Sequence, residues 1–218
     1  MTMQSSTVQM LVAARRLADY ATELGADVAS QEIRPAYEHM GALLADSILQ
    51  AGLNYNSVVR PRIITILARY PDQDRTSTLL NVVYRGETAT FLNWTHIEKI
   101  ARFDSLVRYL GAKSVERTDD LRMFLHDKSF ALSLREIRGI GPKTVDYMKC
   151  LSGIESIAVD RHVKTFARRV GITETDYDYL KSVFCCAADL MSVSRRQFDA
   201  WVWRQESSVS KPQIAFAF

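Results

Sequence analysis

The sequence predicts an all-α protein, and three observations carry that expectation. Apolar residues recur at steps of three and four along most of the chain, no segment alternates as a half-buried strand does, and glycine and proline breaks cut it into helix-sized pieces. Met10, Leu11, Ala14, Leu17 and Ala18 show the helical spacing near the start. Leu43, Ser47, Gln50 and Ala51 show it again with their apolar neighbours. Further helices are expected over 57–70, 77–84, 95–110, 118–126, 142–152, 160–170, 176–191 and 195–205. Turn chemistry places breaks at Gly25, Gly52, Pro71-Asp72, Gly86, Gly111, Gly139-Ile140-Gly141, Gly153 and Gly171. The nearest strand candidate, 81–85, is too short to carry a sheet.

Composition narrows the class. The chain has 218 residues, 47% of them apolar and 24% charged, the balance of a soluble globular protein. No run approaches the roughly 18 to 20 apolar residues that a membrane span requires. Residues 1–8 lack the basic start and apolar core of a secretory signal, so an intracellular location and no membrane partner are expected. Cys185 and Cys186 are adjacent and Cys150 is distant, with no CxxC pair, which disfavours structural zinc and fits reduced thiols. Three cysteines also fall short of the four thiolates a cubane iron–sulfur cluster normally takes. His39, His96 and His126 show no ligand spacing.

Net charge is only +3, but its distribution is uneven. Between Ala131 and Val170 eight basic residues face four acidic ones, so this segment alone exceeds the excess of the whole chain. A local basic face is what phosphate binding needs, although a solvated helix surface gives the same count.

The same region holds the most informative stretch, LREIRGIGPKTVDYMKCLSGIESIAVDRHVKTFARRVGI, from Leu134 to Ile172. A helical lead ends in Gly139-Ile140-Gly141, and Pro142 opens a second helix. Two glycines one residue apart allow a tight hairpin with positive φ, and proline suits a first helical position whose N–H has no partner. The hairpin thus ends on a helix N-terminus, where N–H donors and the dipole favour phosphate. Ile137 and Ile140 are expected to anchor it in the core. Lys143 falls in the first turn of the second helix, where the dipole disfavours an ammonium ion and favours a neutral, nucleophilic amine. A lysine paired with phosphate fits the position equally well.

Seventeen residues later an apolar run, Ile157-Ala158-Val159, delivers Asp160 at the head of a basic helix. An aspartate there is a good N-cap. It is also a carboxylate that a helix and a short return loop would bring back toward the hairpin.

These two motifs, in this order and spacing, resemble the helix-hairpin-helix–Gly/Pro–Asp superfamily of DNA glycosylases, which includes endonuclease III, the adenine glycosylase MutY and the 8-oxoguanine glycosylases. Residues 134–144 resemble the family hairpin and 159–163 its catalytic-aspartate segment. Weaker similarity covers 43–56, like the helix and loop before the family's intercalating residue, and 196–204, like its closing helix.

The resemblance implies two helical lobes flanking a DNA-binding cleft, residues 1–34 and 151–218 forming one and 35–150 the other, the latter ending in the helix-hairpin-helix at 134–150. It implies a base-excision repair enzyme whose partner is damaged double-stranded DNA, acting as a monomer in the cytoplasm or nucleoid of a prokaryote or in a eukaryotic nucleus. Lys143 stands at the place of the nucleophile of bifunctional members, which remove a base and then cut the strand as lyases. Asp160 stands at the place of their essential aspartate, assisting the lysine and steadying charge on the sugar. Gly139, Gly141, Thr144, Arg138 and Arg161 fall where the DNA backbone is held. Gln50, Leu53, Asn54 and Tyr55 are the wedge candidates, with Gly52 aligned at the wedge itself.

No cofactor is required on this reading. The carbonyls of Arg135, Ile137 and Ile140 fall where similar hairpins hold Na+ or K+, and the family's iron–sulfur cysteines are missing. The chain looks closer to the compact, cluster-free branches, with an oxidised base such as 8-oxoguanine as one expected substrate. Two alternatives stay open: a monofunctional glycosylase in which Lys143 serves phosphate, and a non-catalytic DNA-binding module that needs no Asp160. Trp201 and Trp203 point to different helix faces, at least one into the core, and His162 is expected to make a structural hydrogen bond. The apolar 214–218 is expected to dock on the body or border the base pocket.

Overall fold

The structure, a computed structural model, describes residues 3–29 and 36–209, so the expectation for 214–218 lies outside the described residues. Those residues are helical throughout, with no strand among them. In chain order the α-helices are α1 (Met3–Glu23), α2 (Ala26–Ala29), α3 (Met40–Leu49), α4 (Arg60–Arg69), α5 (Thr76–Tyr84), α6 (Thr88–Leu92) and α7 (Ile97–Ala112). They continue with α8 (Thr118–His126), α9 (Lys128–Ser133), α10 (Pro142–Leu151), α11 (Arg161–Arg169), α12 (Tyr177–Leu190) and α13 (Arg195–Val209). None is long and apolar enough to cross a membrane. The chain forms two compact units, one from Met1–Arg34 with Glu155–Phe218 and one from Pro35–Ile154.

The continuous unit is built around α3, all of whose residues from Met40 to Leu49 are buried. A helix apolar on every side has to be central. It packs on α4, α5, α7 and α10, with Phe91, Phe103, Leu106, Leu110 and Met148 among the side chains filling the core. His39 caps α3, Nδ1 accepting from the Ala42 N–H at 3.1 Å while Nε2 lies 2.8 Å from the Tyr70 carbonyl. The other unit packs α1 against α12 and α11 against α13, around Leu17, Phe166, Phe184, Phe198 and Trp201. Trp201 stacks on Phe198 with ring centroids 5.9 Å apart.

Three local features differ from the pattern read in the sequence. The helix expected from residue 57 begins as a π-helical turn, Tyr55–Val59, and becomes α-helical at Arg60. Pro61 explains it: the residue has no N–H for an α-type bond and its ring crowds the carbonyl four residues back, so the widened turn relieves it. Gly111 is not a break but lies in the last turn of α7, where a methyl group would meet Leu80 Cδ1 at 2.8 Å. Its role is to let α7 approach α5. The lead into the hairpin is α9 followed by a 3-10 turn, Leu134–Glu136, rather than one helix.

Candidate active site

The hairpin between the 3-10 turn and α10 is fixed by one buried side chain and one backbone position that suits glycine. Ile140 is 2% exposed, and its N–H donates to the Ile137 carbonyl at 2.9 Å. Ile137 packs partly buried against the same core. Gly139 has φ +86°, a region costly to other residues. Gly141 is extended at φ −103° with open space around it, so only one of the two glycines uses positive φ. Pro142 occupies the first turn of α10, and the Gly141 carbonyl accepts from the N–H groups of Thr144 and Val145 at 3.0 and 3.2 Å.

Helix α7 braces this hairpin. The Arg102 Nε donates to the Arg138 carbonyl at 3.3 Å, and the same guanidinium lies where a methyl on Gly139 would be, 2.0 Å away. The Arg138 side chain is 95% exposed, with Glu98 at 3.6 Å. Arg135 is also exposed, whereas Thr144 is buried at the foot of α10. The Ile137 carbonyl, one of the three assigned to a monovalent cation, accepts from Ile140.

Lys143 is half-buried in the first turn of α10, and its ammonium donates to Gln50 Oε1. Gln50 is the C-cap of α3. Around it the Lys99 Nζ reaches the carbonyls of Ile48, Leu49 and Ala51 at 2.9, 3.2 and 2.8 Å. Burial first, then the positive charges of Arg102 and Lys143, pull the Lys99 ammonium down from the ordinary 10.5 to about 8. One turn back along α3 is Asp46, fully buried, whose carboxylate accepts from Tyr37 at 2.9 Å, Tyr55 at 3.1 Å and Tyr147 at 3.1 Å.

The wedge candidates fall in different places. Gln50 faces Lys143 and Tyr55 faces Asp46. Leu53 packs partly buried on the core, and exposed Asn54 caps the π-helical turn by accepting from the Ser57 N–H at 3.0 Å. Gly52 is exposed with φ +76°.

In the other unit Asp160 is the N-cap of α11, its Oδ1 accepting from the N–H groups of His162 and Val163 at 2.7 and 3.0 Å. Arg161 is exposed beside it. His162 is 8% exposed, with its Nε2 3.3 Å from the Arg161 Nε and its ring edge-on to Trp203.

Sequence reading missed Lys99, Arg102 and the Asp46 cluster. Asp46 left one signal, a lone carboxylate within the apolar run 40–49. Lys99 and Arg102 left none, because their partners are brought to them only by the packing of α7. Comparisons with protein-family models and with curated proteins give no match to this chain.

Proposed function

We propose that the protein is a DNA glycosylase that removes a damaged base, such as an oxidised one, and then nicks the strand, with Lys143 as nucleophile and Asp160 as the assisting carboxylate. The observation that supports it most is the setting of Lys143. Its amine stands in the first turn of a helix opened by the Gly139–Pro142 hairpin and donates to a neutral acceptor, the Gln50 side-chain oxygen. The resemblance to the helix-hairpin-helix–Gly/Pro–Asp glycosylases points the same way.

In the proposed reaction the target nucleotide leaves the base stack, which is cheapest at a damaged or mispaired site. The neutral Lys143 Nζ gives its lone pair to C1′ while the glycosidic bond breaks, and that bond's electron pair leaves with the base, which takes up a proton. The attached amine gives up a proton as the sugar ring opens, leaving a protonated Schiff base. Removal of a C2′ proton then expels the 3′ phosphate by β-elimination. Asp160 steadies the positive charge on the sugar and takes part in the proton transfers.

Oligonucleotides carrying 8-oxoguanine, thymine glycol, uracil or an abasic site, incubated with the protein and borohydride, test this directly. A covalent adduct that disappears with Lys143→Gln is expected. Base release without an adduct overturns the lyase chemistry in favour of a monofunctional glycosylase. Binding with neither release nor adduct on any substrate overturns both.

A further inference from the structure

Lys99 belongs to no motif and to none of the chemical steps above, yet three carbonyl oxygens converge on its Nζ at 2.8 to 3.2 Å. They are carbonyls of the last turn of α3 and just beyond, which a helix end leaves without intrahelical donors. The negative end of the helix dipole favours a cation in that position. Two of them, from Leu49 and Ala51, lie on either side of Gln50, and Gln50 is the residue that receives Lys143. One ammonium therefore grips the backbone on both flanks of the acceptor that aims the other.

We propose that Lys99 is a positioning residue for Lys143: it fixes Gln50, and so the direction of the Lys143 amine, and its charge favours the neutral, nucleophilic form of that amine. The role rests on the reading of Lys143 as the nucleophile. Repulsion between the two ammonium groups is mutual, and it already contributes to the fall of Lys99 to about 8. Arg102, on the same helix as Lys99, reinforces the repulsion. Glu98 is turned to Arg138 and Asp104 to Thr88. Asp46, one turn before Gln50 on α3, accepts from three tyrosines.

The test is a pH titration of protein carrying ¹³Cε-labelled lysine, with the Lys143 resonance assigned by its loss in Lys143→Gln. Lys99→Met is expected to raise the Lys143 midpoint by about one pH unit, and Lys99→Arg to leave it near the wild-type value. An unchanged midpoint in Lys99→Met overturns the proposal, as does a rise in Lys99→Arg as large as in Lys99→Met. Should Lys99→Met fail to fold, the wild-type curve decides. A second inflection of the Lys143 resonance near pH 8, where Lys99 titrates, supports the coupling, and a single inflection overturns it. No DNA is present, so this result is separable from the borohydride trapping that tests the nucleophile itself.

Discussion

Tyr147 donates its phenolic hydrogen to Asp46 at 3.1 Å, one turn along α10 from the place where Lys143 donates to Gln50. Because Asp46 and Gln50 are also one turn apart on α3, the two bonds form successive rungs between the same pair of helices. The lower rung is a buried carboxylate with three phenols and the upper rung carries the amine of Lys143, the proposed nucleophile. Rigidity below sets the aim above.

Removing the charge of the lower rung should therefore be costly. Asp46→Asn is expected to lower stability by about 2 kcal/mol, and Tyr147→Phe by about 1 to 2 kcal/mol, as charge-assisted bonds in a buried site are lost. Urea unfolding measures both. A change within about 0.5 kcal/mol for Asp46→Asn would mean that the cluster does not brace the helices.

Asp160 can be tested as a cap and as a catalyst with two substitutions. Asparagine keeps the cap, so Asp160→Asn should match wild-type stability within a few tenths of a kcal/mol, while Asp160→Ala loses about 1 kcal/mol. Base release should fall at least about a hundredfold in both. Full activity in Asp160→Asn would leave the residue as a helix cap alone.

At the hairpin, Gly139→Ala combines positive φ with the guanidinium of Arg102 in the way. The backbone term alone is about 1 to 2 kcal/mol. Affinity for undamaged duplex DNA should drop at low salt, and the salt dependence of binding should flatten if a phosphate contact is lost. Gly141→Ala, with open space and an extended backbone, should be close to neutral in stability.

Lys99 gives a pH dependence whose direction follows from its lowered midpoint. Below about pH 8 both folded and unfolded chains hold this proton, and stability does not vary on its account. Between about 8 and 10.5 the unfolded chain keeps a proton that the folded chain has released, so rising pH increases the stability contributed by Lys99. The wild type should thus gain on Lys99→Met across that window in denaturant unfolding. A constant difference would return Lys99 to the ordinary lysine range.

What could be read in advance follows from how local each feature is. Long helices such as α7 and α12 announce themselves by periodicity, and Pro142 places Lys143 in a first turn without any tertiary information. Asp160 is legible as a cap because capping needs only the next three residues. The five-residue α6 and six-residue α9 span too few turns to show a period. Gly111 misleads because its purpose is the approach of Leu80 from another helix. Lys99 is invisible for the same reason: its acceptors lie 48 to 51 residues away. The upper half of the site, hairpin and lysine, is local chemistry; its support is assembled by packing.

The division of the chain into one continuous unit and one assembled from two separate segments also sets an order of events on the ribosome. Helix α1 packs on α12, which is made roughly 150 residues later. At about 5 to 20 residues per second that interval is on the order of ten to thirty seconds. The unit from Pro35 to Ile154 can close within it, while Leu17 and its neighbours on α1 wait with their apolar stripe uncovered. Nascent-chain holding by chaperones should therefore centre on α1, and a slowed translation of the segment 155–190 should lengthen its exposure.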